Sequence, residues 1–201
     1  MADRFEWPWQ YNFPPFYTLQ PNHDTRRKQI EAWCDLVLSY YKYKKLYMLD
    51  VTEAMTNELF CNKKIERKLS QDALNTILEE LSKRGNVEWE DKKQQRCHVM
   101  WRKPEEWAAL IYQWVRTIII RTWSSQSHFS KFNIQANNMT DSVCTLYELM
   151  SGDDTVKEEF HGIDLWMMKK SLSVLESKGK AQMFEAPDSS DDSGLGVKFY
   201  S

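Results

Sequence analysis

A chain of 201 residues has room for one large domain or two small ones, and 27 Lys and Arg against 29 Asp and Glu leave a net charge of −2. That balance argues against a protein living on phosphate backbone, whose affinity comes from clustered cations. Phe, Trp and Tyr number nine each, while six Gly and six Pro are too few for collagen-like or low-complexity classes.

The first 23 residues read as an arm. Phe5, Trp7, Trp9, Tyr11 and Phe13 alternate with Glu6, Pro8, Gln10 and Asn12. Period two is strand periodicity, so the aromatics are expected along one face of an extended segment. Pro14 and Pro15 then favour a polyproline-like backbone leading into Phe16 and Tyr17. Residues 5–13 read as packing on their own domain, and the diproline stretch as a docking peptide for a groove on another protein. In that reading a Phe16→Ala/Tyr17→Ala double variant loses docking and keeps its fold. The start carries acids and prolines where a secretory signal has a basic end and an aliphatic stretch. No run nears the ~20 apolar residues of a membrane span.

A first domain is expected over residues 24–102. Asp24 is placed to cap a helix whose Ile30, Trp33, Cys34, Val37, Leu38 and Tyr41 form one apolar stripe. A second helix is expected within Glu58 to Leu69. A third runs from a Ser70 cap through Leu74, Ile77, Leu78 and Leu81 to Gly85. Val87 and Trp89, then Cys97, Val99 and Trp101, alternate around a polar turn as a β-hairpin.

Residues 103–201 repeat the plan. Pro104 opens a helix with Trp107, Leu110, Ile111, Trp114, Val115 and Ile118 on the same stripe. Asp164 caps another with Leu165, Met168, Leu172 and Leu175 inward, ending at Gly179. Ala181, Met183, Val197 and Phe199 supply two strands around a turn at Pro187–Ser193. Leu78–Trp89 and Leu172–Met183 align without a gap, an internal repeat. The fold class is therefore α+β, predominantly helical: two tandem winged-helix domains behind an extended aromatic and diproline arm.

Catalytic signatures are missing: the four histidines, at 23, 98, 128 and 161, have no second ligand at helical spacing, and no phosphate loop or nucleophile elbow is present. Cys34, Cys61, Cys97 and Cys144 are scattered and read as reduced thiols of a cytosolic protein. A winged helix that binds DNA uses its third helix in the major groove. Here that helix carries Asp72, Glu79, Glu80, Lys83 and Arg84, and the second wing carries Asp188, Asp191 and Asp192. Lys92, Lys93 and Arg96 in the first wing keep a nucleic-acid-binding or transcription-associated protein as the alternative. The preferred reading is a non-enzymatic protein-interaction adaptor.

Phe5-Glu6-Trp7-Pro8-Trp9-Gln10-Tyr11 and Phe13-Pro14-Pro15-Phe16-Tyr17-Thr18-Leu19-Gln20-Pro21-Asn22 resemble the N-terminus of the small-subunit family of the endosomal ESCRT-II complex. Met100–Trp107, Thr145–Leu149, Glu159–Gly162 and Gly196–Tyr200 resemble it too. The resemblance implies an adaptor present in two copies beside one copy each of the larger subunits, vacuolar protein sorting-associated proteins 22 and 36. It implies that Pro14, Pro15, Phe16 and Tyr17 dock into those subunits. It also implies that the second domain binds charged multivesicular body protein 6, an ESCRT-III subunit, during sorting of ubiquitinated cargo into multivesicular bodies. Phe160, His161 and Ile163 are the candidate residues for that contact. Such a protein is cytoplasmic and recruited to endosomal membranes without inserting, binds no nucleic acid and carries no cofactor. Where the family has a short polar turn after Val115, residues 116–141 form an atypical insertion, expected as a helix extension with a loop or as sequence foreign to the mature protein.

Overall fold

The computed structural model describes residues 4–124, 142–185 and 195–200. The chain divides into two units, Met1–Lys103 and Pro104–Ser201. The turn expected at Pro187–Ser193 and most of the insertion lie outside the described residues.

The first unit begins with the aromatic segment, which is not a strand. It forms two short 3-10 turns, Trp9–Asn12 and Pro14–Tyr17, with Phe13 extended between them. Four i→i+3 bonds close them, among them Tyr11 N to Pro8 O at 3.0 Å and Phe16 N to Phe13 O at 2.9 Å. A proline φ suits the first turn of a helix as well as polyproline, so Pro14 and Pro15 permit this conformation. Helix α1, His23–Lys44, is capped by Asn22 rather than Asp24: the Asn22 Oδ1 accepts from the Thr25 amide at 3.1 Å. Trp33, Cys34, Val37 and Tyr41 are buried as the stripe predicts, joined by Gln29, Leu36 and Tyr40.

Strand β1, Met48–Asp50, leads into a one-turn helix α2, Val51–Ala54, capped by Asp50. The helix expected within residues 58–69 is absent, and a small hairpin of β2, Cys61–Asn62, and β3, Arg67–Lys68, stands in its place. The reason is local. Asn57 Oδ1 accepts from the Leu59 amide at 2.9 Å and Asn62 Oδ1 from the Lys64 amide at 3.0 Å, each favouring a turn over a helix. Helix α3, Gln71–Lys83, starts where Ser70 Oγ accepts from the Ala73 amide and stops before Gly85 at φ 70°. Strands β4, Val87–Trp89, and β5, Arg96–Val99, complete an antiparallel sheet of order β1-β5-β4.

The second unit has the same plan. Helix α4 runs Pro104–Ser124, so the first part of the insertion extends this helix. Strand β6, Ser142–Thr145, passes into α5, Leu146–Ser151, through a capping box between Thr145 and Glu148. Helix α6, Leu165–Ser177, is capped by Asp164 and followed by Gly179 at φ 65°. Strands β7, Ala181–Glu185, and β8, Leu195–Phe199, pair with β6 in the order β6-β8-β7. The two central strands, β5 and β8, therefore occupy equivalent places. Helices α3 and α6 have the same length of 13 residues and fall at equivalent places in the repeat.

Candidate docking face of the N-terminal segment

The diproline segment sorts its side chains into two directions. Phe16 and Tyr17 point inward and are 5% and 3% exposed. The Phe16 ring stacks on Trp33 with centroids 4.4 Å apart and planes 5° apart, and Tyr17 meets the same indole edge-on at 5.4 Å. Each such burial removes an aromatic from water, worth ~1.5–3 kcal/mol. Pro14 and Pro15 remain exposed. Before them stand Trp9 at 71% and Phe13 at 47% exposure, their rings 5.8 Å apart. Phe16 and Tyr17, expected to enter a partner, are instead packed into their own domain, because Trp33 on α1 offers them an apolar bed at no ordering cost to a second protein.

Hydrogen bonds fix this conformation. Trp33 Nε1 donates to the Phe16 carbonyl at 2.9 Å, and Gln29 Nε2, one turn earlier on α1, donates to the carbonyls of Phe16 at 2.8 Å and Thr18 at 2.9 Å. Gln29 Oε1 accepts from the Gln20 amide at 3.1 Å. Asn62 Nδ2 donates to the Tyr11 carbonyl at 2.8 Å, and the Tyr17 hydroxyl donates to that carbonyl at 3.0 Å. The Tyr11 hydroxyl donates to the Glu58 carbonyl. Trp7 stacks on Tyr11 at 3.8 Å. Sequence reasoning missed Gln29 and Asn62; the detectable signal was a glutamine one turn ahead of Trp33 on the apolar stripe.

Electrostatics record the same burial. Desolvation pushes the Tyr11 hydroxyl up to about 12, opposed by its hydrogen bond with Tyr17 and reinforced by Glu58. Burial, then the neighbouring Tyr11, raises Tyr17 as well. Tyr40, also raised by burial first, donates to Glu58 Oε1 at 2.7 Å, and that bond holds the Glu58 carboxyl below its ordinary range.

The candidates in the second unit fare differently. Phe160 and Ile163 are buried, Phe160 meeting Trp114 edge-on at 5.6 Å, so neither side chain is a contact surface. His161 is half-buried, and its Nδ1 lies 2.9 Å from Thr155 Oγ1. That hydroxyl donates to the Gly152 carbonyl, so the ring nitrogen serves as the donor to it. Among the described residues, the exposed large apolar side chains of this unit are Val143, Tyr147, Val156 and Phe184.

Charge does not suit α3 to DNA. The outer face of α3 shows Asp72, Asn75, Glu79 and Lys83, while Arg84 pairs with Glu80 at 2.9 Å. In the first wing Arg96 faces Glu90 at 3.6 Å. All four cysteines are free, Cys61 half-exposed and the others buried. Among the described residues no cluster of His, Cys, Asp or Glu is placed to hold a metal ion, and no helix is long and apolar enough to cross a membrane.

Fold and segment together define a tandem winged-helix protein with an anchored, exposed apolar face. A family model described as ESCRT-II complex subunit matches residues 10–123. Vacuolar protein-sorting-associated protein 25 of Danio rerio is 55% identical over 98% of this chain and 99% of its own length. The Homo sapiens protein of that name is 46% identical over the full length of both. A crystal structure of subunit VPS25 of the endosomal trafficking complex ESCRT-II superposes with a TM-score of 0.73 at 29% identity, covering 96% of this chain and 97% of that one. A structure of the ESCRT-II endosomal trafficking complex contains a chain that matches with a TM-score of 0.69 at 30% identity, over 94% and 97%. The chain belongs to the family of ESCRT-II complex subunits.

Proposed function

We propose that this chain is a non-catalytic adaptor of ESCRT-II, joining vacuolar protein sorting-associated proteins 22 and 36 through its N-terminal segment. A solved complex similar to this chain is described as VPS22/VPS25/VPS36, which supports those partners. The observation that carries the reading is the presented face: Trp9, Phe13, Pro14 and Pro15 exposed on a segment whose backbone is clamped by Gln29, Trp33 and Asn62. Exposed aromatics supply contact area, and a pre-ordered backbone loses little entropy on binding. Phe16 and Tyr17 act as positioning residues beneath that face. Each larger subunit takes one copy, so two copies serve the complex.

The second unit extends the chain of contacts to charged multivesicular body protein 6, placing the adaptor between ESCRT-II and ESCRT-III in cargo sorting at endosomal membranes. Tyr147 and Val156, both more than 60% exposed, replace Phe160 and Ile163 as the residues for that contact. Titration calorimetry of the full chain against the heterodimer of proteins 22 and 36 tests the first contact. Trp9→Ala with Phe13→Ala is expected to weaken binding at least 100-fold with unchanged circular dichroism. Wild-type affinity in that variant would overturn the assignment.

A further inference from the structure

A groove of about 270 Å³ opens in the first unit between residues 5–10 and one face of α1. Its apolar walls include Phe5, Pro8, Phe16 and Leu36. Its charged lining is wholly acidic, Glu6 and Asp35, both exposed and neither in an ion pair among the described residues. Arg84 feels Asp35 at longer range, but its guanidinium is tied to Glu80. Gln10 also lines the groove, and its Oε1 is buried with no donor among the described residues. Such an acceptor is costly to leave unpaired, so the groove is short of donors.

We propose that this groove receives an arginine side chain from the larger ESCRT-II subunits, an inference that rests on the docking reading above. Two carboxylates and an amide carbonyl ask for several donors on one planar group, and a guanidinium carries five. Its hydrocarbon stem suits the apolar walls, and its flat face suits an aromatic lining; an ammonium offers three donors about a single point. Pro8 and Gln10, which line the groove, are the chain neighbours of exposed Trp9, so the groove adjoins the presented face.

The test is calorimetry and surface kinetics of the full chain against the heterodimer of vacuolar protein sorting-associated proteins 22 and 36. Glu6→Lys with Asp35→Lys is expected to weaken binding at least tenfold, mainly through faster dissociation. Gln10→Met, which removes the acceptor and keeps the charge, is expected to weaken it several-fold. One Arg→Glu substitution on the heterodimer is expected to restore binding to the double-lysine variant. If the groove variants bind within twofold of wild type while Trp9→Ala with Phe13→Ala fails, the groove proposal is overturned and docking stands. A loss confined to association rate, with Gln10→Met neutral, would reduce the acids to long-range steering and also overturn it. Failure of the wild-type chain to bind would remove the docking reading and the groove with it.

Discussion

Phe16 lies flat on the Trp33 indole, while Pro14, two residues earlier, stands in solvent. Their substitutions should therefore separate. Phe16→Ala is expected to cost about 3–5 kcal/mol, read as a lower denaturation midpoint, because the ring leaves a cavity against Trp33. Trp9→Ala and Pro14→Ala should each stay within ~1 kcal/mol of wild type. The cysteines separate in the same way. Burial pushes the Cys34 and Cys97 thiols up to about 12, whereas Cys61 is half-exposed. Iodoacetamide at pH 8 should alkylate Cys61 first, with mass spectrometry locating the adduct. At alkaline pH the sign is fixed by proton counts. Cys34, Cys97 and Tyr11 keep their protons in the native state up to about 12 but lose them earlier when unfolded, near their ordinary values of 9.0 for the thiols and 10.0 for the phenol. The unfolded chain then binds fewer protons, so stability is intact below about pH 9 and falls between about pH 9 and 12. A denaturant midpoint unchanged from pH 8 to 11 would contradict this.

Helices α3 and α6 begin and end on local chemistry. Ser70 and Asp164 accept first-turn amides, and Gly85 and Gly179 take the left-handed conformation after the last turn. Ser70→Ala and Asp164→Ala should each cost about 1 kcal/mol. Gly85→Ala and Gly179→Ala should each cost about 1–2 kcal/mol, from backbone strain alone, since a Cβ meets nothing nearer than 3.9 Å at either site. Because these signals are local, both helices and their wings were legible in the sequence. Strands β1 and β6 were not legible as sheet members. Each is only three or four residues long, and Met48 earns its place by pairing with His98 far along the chain. The N-terminal segment misled for the same reason: alternating aromatics describe a strand locally, but Trp33, Gln29 and Asn62 reward a pair of tight turns.

At the level of the whole molecule, the repeat of one winged-helix plan was visible because its core positions, caps and glycines recur in register. The diproline motif was visible too, but which of its residues are presented was not, since burial of Phe16 depends on Trp33, 17 residues away. The acidic outer face of α3 adds a prediction: binding to duplex DNA should be absent at physiological salt, and a steep loss of affinity with rising salt would contradict the charge argument. The adaptor account is tested most directly by native mass spectrometry of this chain mixed with vacuolar protein sorting-associated proteins 22 and 36. The account predicts an assembly with two copies of this chain and one of each larger subunit, lost when Trp9 and Phe13 are both replaced by alanine. An assembly that persists unchanged in that variant, or none with the wild-type chain, would contradict it.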